Sequence, residues 1–412
     1  MSDFPAPPIP MKAQAGEAQA MPGPTAAGRA DAAKSVRTLL IMAGGTGGHI
    51  FPALAVADYL RAENWRVVWL GTRGGMEADL VPKRGYDIAW LTFAGMRGKG
   101  WLRWMLLPLL LLLAMFQSVR AIFRHRPDVV LGMGGYAAFP GGMMAVLLAR
   151  PLVIHEQNSI AGLTNRVLAV VADRVLAAFP SAFEKRADGV KSWLPRPRGA
   201  EWCGNPVRVE IAALPAPEAR FAGREGPLRV LVVGGSRGAA VLNQVMPQAL
   251  AAMPAAQRPQ VRHQAGAGHA EALREAYRAV GAAAEVQAFL TDMADAYASC
   301  DVVICRAGAL TVAELAAAGI ASVLVPFPYA VDDHQTHNAH FLSDAGAALL
   351  LPQGELSATR LAQWLASVTR EQLLAMAVKA RTLGKADATR LVARACQEAA
   401  GAEDGRRENE VP

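Results

Sequence analysis

One pattern occurs in both halves of the sequence: a short apolar run, a glycine-rich stretch and a segment with helical character. In the first half, residues 39–43 (LLIMA) lead into residues 44–49 (GGTGGH) and a helical segment at 52–60. In the second half, residues 230–233 (VLVV) lead into residues 234–238 (GGSRG). A strand, a tight glycine turn and a helix form the repeating unit of parallel α/β sheets. The repeat therefore predicts two related α/β domains.

Further apolar runs, rich in Val, Ile and Leu, alternate with helical segments in both halves. They lie at residues 67–70, 129–131, 152–154, 302–304 and 322–325. Such runs, separated by helices, are typical of strands buried on both faces of a parallel sheet. A chain of 412 residues is long enough for two such domains. We predict two Rossmann-like domains, joined by the stretch at 212–226 that is rich in Ala, Pro and Gly.

The composition of the chain ends and the spacing of the cysteines argue against a secreted protein and against a metal-stabilised one. Residues 1–35 are rich in Pro, Ala and Gly and lack the apolar core of a signal peptide, which predicts a disordered extension. Residues 403–412 are predicted to form a disordered tail. The four cysteines form no CxxC pair and have no histidine at ligand spacing. This pattern favours a reducing cytoplasm over a disulfide framework or a zinc site.

The positive charge of the chain is concentrated around one apolar segment. The formal net charge is +7, and no acidic residue occurs between Asp87 and Asp128. That interval contains six basic residues: Arg97, Lys99, Arg103, Arg120, Arg124 and Arg126. Between them, residues 104–116 form an apolar run of 13 residues, whereas a spanning helix needs about 20.

This segment predicts an interfacial anchor on an anionic membrane surface, where apolar burial and attraction to phosphates act together. Trp101 and Trp104 add side chains that prefer the membrane interface. The alternative is a core helix of an α/β domain with a basic rim. Nucleic-acid binding is disfavoured, because the charge surrounds a leucine run and not stacking aromatic residues.

Glycine-rich turns between a strand and a helix let backbone amides approach a phosphate group. The first turn does not match a dinucleotide site, because residues 69–73 (WLGTR) lack the acidic residue that binds a nicotinamide cofactor's ribose. A nicotinamide-dependent enzyme is therefore disfavoured. No D-x-D sequence occurs, so we predict catalysis without a metal-bridged diphosphate.

Six motifs occur in a fixed order: 44–49 (GGTGGH), 132–136 (GMGGY), 155–158 (HEQN), 204–208 (GNPVR), 234–236 (GGS) and 308–314 (GALTVAE). Taken together they resemble the MurG family of UDP-N-acetylglucosamine transferases in glycosyltransferase family 28, from about residue 36 to about residue 400. The resemblance implies a GT-B fold, in which two Rossmann-like domains face a central cleft. It implies an acceptor- and membrane-binding domain at 36–208, a UDP-sugar-binding domain at 209–384, and a helix at 385–402 that packs back on the first domain.

The resemblance also implies a reaction. N-acetylglucosamine would pass, with inversion, from UDP-N-acetylglucosamine to the muramyl 4-hydroxyl of lipid I, the undecaprenyl-pyrophosphoryl-MurNAc-pentapeptide. The implied location is the cytoplasmic face of the inner membrane, as a peripheral protein, with other cell-wall synthesis proteins as further partners and no cofactor. The rival interpretations are another lipid-directed transferase, a UDP-N-acetylglucosamine epimerase and a catalytically silent UDP-sugar sensor.

On the donor side, the resemblance assigns the ribose hydroxyls to Glu314, since a carboxylate can accept two hydrogen bonds. The alternative is a glutamate that only complements the helix dipole. Ser236 would face the diphosphate, the main chain of Leu290 the uracil, and Gln335 the sugar hydroxyls. The remaining donor-side residues are Arg208 near the interdomain junction and Ala309, Leu310, Thr311, Val312 and Ala313 at the helix start. Arg237 and Ala307 stand where the family more often has Gln and Ser.

On the acceptor side, His49 is the candidate general base. The dipole of the following helix opposes a positive charge there and favours a neutral imidazole. The alternative is that His49 binds the lipid diphosphate together with the amides of Gly47 and Gly48. Thr46 would line the same side, and Tyr136 and Glu156 are weaker candidates for positioning or proton transfer. Asn158 follows a predicted strand at the edge where open α/β sheets bind ligands.

Overall fold

The computed structural model describes residues 36–92, 101–184, 199–235 and 238–409, with the side chains of 101–104, 331 and 402–409 left out of the description. The first of its two parallel sheets has the strand order β3-β2-β1-β4-β5-β6-β7. Its strands are β1 (Thr38–Ala43), β2 (Arg66–Thr72), β3 (Asp87–Leu91), β4 (Val129–Gly134), β5 (Leu152–Glu156), β6 (Arg174–Ala177) and β7 (Glu201–Trp202). The helices between them are α1 (Gly47–Ala62), α2 (Glu77–Lys83), α3 (Trp101–His125), α4 (Ala138–Leu147) and α5 (Leu163–Leu168).

Two short helices, α6 (Val209–Ala212) and α7 (Pro217–Phe221), lead to the second sheet. Its strand order is β10-β9-β8-β11-β12-β13, the same order as the first sheet without the last strand. The strands are β8 (Arg229–Val233), β9 (Gln260–Gln264), β10 (Ala284–Gln287), β11 (Val302–Cys305), β12 (Ser322–Leu324) and β13 (Ala348–Leu350). The helices are α8 (Ala240–Ala251), α9 (Ala270–Ala279), α10 (Met293–Ser299), α11 (Ala309–Ala318), α12 (His334–Ser343), α13 (Ala358–Ser367), α14 (Arg370–Leu383) and α15 (Ala388–Asn409).

The central strands are buried because their side chains are apolar on both faces. All residues of β1 and β4 are buried, and Ile41 lies in register with Trp69 on one side and Leu131 on the other. Helices cover both faces of each sheet, which accounts for the unbroken Val, Ile and Leu runs. The predicted α/β class with two Rossmann-like sheets is confirmed.

The last helix, α15, returns to the first sheet. It packs against α1, β4, β5 and β6. Val392 and Cys396 are fully buried in the same core cluster as Leu39 and Val129. The chain therefore crosses from the first sheet to the second and back. The domain boundaries given by the sequence stay a prediction.

Helix α3 is longer than the apolar run of 13 residues indicated, because it spans Trp101–His125. The segment is therefore not too short to span a membrane, contrary to the prediction from its apolar run: Met105–His125 is long and apolar enough by length and composition alone, with a mean hydropathy of 2.0. One face of the helix packs on α4, β2 and β3 through the buried residues Ala114, Ser118, Ala121 and Ile122. The other face exposes Met105, Leu106, Leu109, Leu112, Leu113, Phe116 and Phe123.

Candidate functional site

The first glycine-rich turn joins β1 to α1 at the carboxyl edge of the first sheet. Thr46 is the N-cap residue of α1, and among the described residues its side chain makes no capping hydrogen bond. The backbone amide of Gly45 donates to Oε2 of the buried Glu77 at 3.0 Å. Amides at this helix start point out of the sheet edge, where they can bind an anion.

The second glycine-rich turn, after β4, packs directly on the first. Gly135 has a φ of +86°, and a Cβ there would lie 2.4 Å from the carbonyl oxygen of Gly44. Only glycine allows both this backbone conformation and this contact. The neighbouring side chain of Tyr136 is exposed at the same edge.

His49 lies in the first turn of α1 and is half-buried. Its Nδ1 lies 2.7 Å from Oε1 of Gln157. Nε2 of Gln157 lies 3.0 Å from Nδ1 of His155, and Nε2 of His155 lies 2.8 Å from the carbonyl oxygen of Gly204. The HEQN motif, which begins in the last two residues of β5, thus reaches the candidate base through a chain of hydrogen bonds.

Glu156 is buried and holds the loop that follows β5. Its Oε1 accepts hydrogen bonds from the backbone and side-chain amides of Asn158, at 2.9 and 3.2 Å. Its Oε2 accepts from the backbone amide of Gly162 at 3.1 Å and from Nδ2 of Asn165 at 2.9 Å. Four donors on one carboxylate fix the loop and suit Glu156 to positioning more than to proton transfer.

Two contacts bring the carboxyl edges of the sheets together. Helix α1 contacts helix α11. Asn338 of α12 is fully buried, and its Oδ1 accepts a hydrogen bond from the backbone amide of Ser159 at 2.9 Å. Its Nδ2 donates to the carbonyl oxygen of Ala307 at 3.2 Å. The loop after β5 and the segment before α11 therefore share one buried amide.

The buried Glu314 of α11 forms an ion pair with the interdomain residue Arg208, whose side chain is partly exposed. Nε and Nη2 of Arg208 donate to Oε1 of Glu314 at 3.2 and 2.9 Å. The hydroxyl of the buried Tyr297 donates to Oε2 at 3.3 Å. Burial raises the pKa of Glu314, and the nearby Arg208 lowers it in part. Burial also raises the pKa of Tyr297 well above its ordinary value, so its hydroxyl stays protonated as a donor.

The other predicted donor-side residues lie in the loops and helices around the second sheet. Leu290 is buried, as expected for a residue that would offer only its main chain. Oε1 of Gln335 accepts a hydrogen bond from the backbone amide of Phe327 at 2.9 Å. Ala309, Leu310, Thr311, Val312 and Ala313 form the first half of α11, which begins after the N-cap Gly308. Ser236 and Arg237 lie outside the described residues. Among those described, no cluster of His, Cys, Asp or Glu is arranged to hold a metal ion.

Sequence reasoning missed four buried polar residues beside these candidates: Glu77, Gln157, Tyr297 and Asn338. Gln157 carried a signal, because it lies inside the HEQN motif. The other three are isolated along the chain and meet the site only through the fold. A single sequence contains no signal that separates them from surface polar residues.

Two family models match the chain. The glycosyltransferase family 28 N-terminal domain covers residues 39–177, and the glycosyltransferase family 28 C-terminal domain covers residues 229–392. The chain belongs to glycosyltransferase family 28. Membership of this family confirms the predicted hexosyltransferase class.

Two curated relatives of this family 28 chain share the name UDP-N-acetylglucosamine–N-acetylmuramyl-(pentapeptide) pyrophosphoryl-undecaprenol N-acetylglucosamine transferase. The protein from Azoarcus sp. (strain BH72) is 60% identical over 365 residues, which cover 89% of this chain and 99% of the relative. The protein from Cupriavidus metallidurans is 60% identical over 367 residues, with the same coverage.

The solved structure of Acinetobacter baumannii MurG has a TM-score of 0.76 and 38% identity, and the match covers 88% of this chain and 99% of that one. The resemblance to MurG and the GT-B fold are thereby confirmed. The UDP-N-acetylglucosamine 2-epimerase from Neisseria meningitidis matches with a TM-score of 0.58 and 11% identity, a likeness that shows the fold alone.

Proposed function

We propose that the chain transfers N-acetylglucosamine from UDP-N-acetylglucosamine to the muramyl 4-hydroxyl of lipid I, with inversion, in peptidoglycan synthesis. The observation that carries the proposal is the contact between α1, which bears His49, and α11, which bears Glu314. It supports a site between the two sheets, with acceptor-side residues on α1 and donor-side residues on α11. The names of the relatives supply the identity of the two substrates.

The donor binds at the second sheet in this proposal. A carboxylate has about four acceptor sites, and Arg208 and Tyr297 occupy three of those on Glu314. Glu314 accepts both ribose hydroxyls in this proposal when Arg208 gives up one of its two bonds. The amides at the start of α11 face the diphosphate, as helix N-termini do in many phosphate sites. Leu290 offers its backbone to uracil, and Ser236 and Gln335 bind diphosphate and sugar.

The reaction is a single displacement. His49 removes the proton of the attacking 4-hydroxyl, the oxygen attacks the anomeric carbon, and UDP leaves from the opposite face. The helix start and Arg208 stabilise the charge that develops on UDP. Thr46, Gly47 and Gly48 bind the lipid diphosphate, Tyr136 borders it, and Glu156 and Asn158 keep the adjoining loop in place.

Helix α3 attaches the enzyme to the cytoplasmic face of the inner membrane as a peripheral protein. Because one face packs on the first sheet, that face is not available to lipid, while the exposed face presents large apolar side chains. Arg120, Arg124 and Arg126 are exposed at its C-terminal end and can meet anionic headgroups. Arg97 and Lys99 lie outside the described residues, and the side chain of Arg103 is not described. Other cell-wall synthesis proteins at this surface stay predicted partners.

The proposal is tested by transfer of radiolabelled N-acetylglucosamine to a lipid I analogue, with a chelator present. Wild type should form product, and His49→Ala should lower kcat by about 100-fold or more at retained UDP binding. His340→Ala is the matched control, because this histidine of α12 pairs with Asp344, the residue directly after the helix. No product from a folded, UDP-binding wild type would refute the acceptor assignment, and UDP release without acceptor would favour an epimerase.

A further inference from the structure

A chain of hydrogen bonds runs from the backbone of Gly204 to the ring of His49. Its members are the carbonyl of Gly204, the imidazole of His155, the side-chain amide of Gln157 and the imidazole of His49. Three links of 2.8, 3.0 and 2.7 Å join them. His155 and Gln157 are almost completely buried, so the two links between Gly204, His155 and Gln157 are shielded from water.

The direction of every link follows from the chemistry of the backbone end. A carbonyl oxygen only accepts, so Nε2 of His155 carries the proton that bonds to Gly204. In a neutral ring Nδ1 of His155 then has the lone pair and accepts from the amide nitrogen of Gln157. The amide oxygen of Gln157 therefore faces His49. Since that oxygen only accepts, Nδ1 of His49 carries a proton.

A second contact fixes the same amide orientation independently. Nε2 of Gln157 also donates to the backbone carbonyl of His155 at 2.9 Å. A reversed amide would place its oxygen against this carbonyl oxygen, and two acceptors repel each other. Burial keeps His155 neutral as well, because it lowers the pKa of this ring to about 4. The direction of the chain is therefore the same across neutral pH.

We infer that Gln157 and His155 are positioning residues that hold His49 as its Nδ1–H tautomer, with the lone pair on Nε2 for the proton of the acceptor hydroxyl. The inference rests on the proposed role of His49 as general base. Gly134 also packs closely on the ring: at its φ of +96°, a Cβ would lie 3.1 Å from Nδ1 and Cε1 of His49. The ring is thus held in position as well as in protonation state.

The first test is spectroscopic and uses the unmodified full-length chain. Two-bond nitrogen–proton correlations of histidine-labelled protein distinguish a protonated from an unprotonated ring nitrogen, and His49→Ala assigns the signal. We expect His49 to be protonated at Nδ1 and unprotonated at Nε2 near neutral pH. A His49 ring protonated at Nε2 alone would overturn the inference, whatever the kinetic results are.

The second test removes the central link. Gln157→Met keeps the length of the side chain but has no amide. We expect kcat to fall about tenfold with the KM for the UDP-sugar donor within about twofold, and His49 to shift toward the Nε2–H tautomer that free imidazoles prefer. His263→Asn removes a fully buried imidazole from the other sheet and should change neither readout.

The outcomes separate the inference from the proposed function. If Gln157→Met keeps the wild-type tautomer of His49, the positioning role is refuted. If His49→Ala retains turnover, the general-base role is refuted. The tautomer of His49 in the wild type still tests the predicted direction of the hydrogen bonds. If Gln157→Met is too unstable to study, the tautomer of His49 can still be tested, since the first experiment needs no variant at this position.

Discussion

The two halves of the molecule share a strand order but differ in one crossover. Between the third and fourth strands of the first sheet lies α3, with 25 residues and an exposed apolar face. The corresponding crossover of the second sheet holds α10, with 7 residues, of which Met293, Ala296 and Tyr297 are buried. The same position in the fold thus presents a surface in one half and supports the Glu314 carboxylate in the other. Architecture alone does not assign function to an element.

The largest expected effect concerns the surface of α3. Substituting Leu109, Leu112 and Phe116, which are 64%, 63% and 66% exposed, with Gln should weaken binding to anionic vesicles by about 100-fold. These side chains contribute nothing to the core, so the unfolding midpoint should stay unchanged. Vesicle sedimentation measures the binding, and turnover of a water-soluble acceptor checks the active site.

The matched control for this surface replaces Val170 and Val171 with Gln. Both are exposed apolar residues of the first half that lie outside α3. Vesicle binding of this control should equal that of wild type. Equal loss in both variants, or no loss in the α3 variant, would make α3 an ordinary solvent-facing helix and would remove the contrast with α10.

The second expected effect concerns Glu314, which α10 supports within the second half. Glu314→Gln should raise the KM for the UDP-sugar donor by about 30-fold, because a charge-assisted acceptor of the ribose hydroxyls becomes a neutral one. Vesicle binding should not change. Isothermal titration with UDP provides the direct measurement, and unaltered UDP affinity would contradict the ribose assignment.

The pKa of Glu314 adds a pH dependence to this prediction. Because burial raises that pKa, the carboxylate takes up a proton at a higher pH than an ordinary glutamate. Donor affinity of the wild type should therefore fall as the pH is lowered through this range, since protonation removes the negative acceptor. Glu314→Gln has no such group, so its donor affinity should vary less over the same interval.

A smaller effect is expected at Tyr297 itself. Tyr297→Phe removes the hydroxyl that donates to Oε2 of Glu314 at 3.3 Å and keeps the buried ring. The donor KM should rise about fivefold with kcat almost unchanged, as expected for one lost hydrogen bond. Tyr277→Phe is the control, because this buried tyrosine bonds to His263 instead. Equal effects in both variants would indicate a loss of packing and not of positioning.

The strands of the fold were easier to predict from the sequence than the length of helix α3. The apolar runs at 39–43 and 230–233 predicted β1 and β8, because a strand buried on both faces needs a continuous apolar sequence. The extent of α3 was not predictable from its apolar run, which ends at residue 116. The helix continues through polar residues such as Gln117 and Arg120, which an apolar run does not include. Helix length depends on packing against α4 and the sheet as well as on apolarity.

The site was predictable where residues follow one another along the chain. His49, Glu156 and Asn158 belong to short motifs at strand ends, and parallel strands bring such ends together. Asn338 was not predictable, because its partner Ser159 lies 179 residues away along the chain. The pairing of Arg208 with Glu314 likewise joins distant segments through the fold. Contacts of this kind depend on how the two sheets meet, which periodicity does not encode.

The smallest expected effect compares one buried histidine in each half. Burial lowers the pKa of His155 to about 4 and that of His263 to about 3, and Nε2 of His263 has no hydrogen-bond partner among the described residues. As the pH falls below about 6.5, the unfolded imidazoles take up protons while the folded ones do not. Stability should therefore decrease by roughly 1 kcal/mol per pH unit for each histidine.

His263→Asn separates the two contributions. The free energy of unfolding of both proteins is measured with urea between about pH 6 and pH 5. It should decrease with falling pH in both, and the slope should be smaller in the variant than in wild type by roughly 1 kcal/mol per pH unit. The slope is compared and not the absolute stability, because the substitution also removes the partner of Tyr277. An unchanged slope would mean that His263 is protonated in the folded state, and the second half would then lack the neutral buried imidazole that the first half uses beside Gln157.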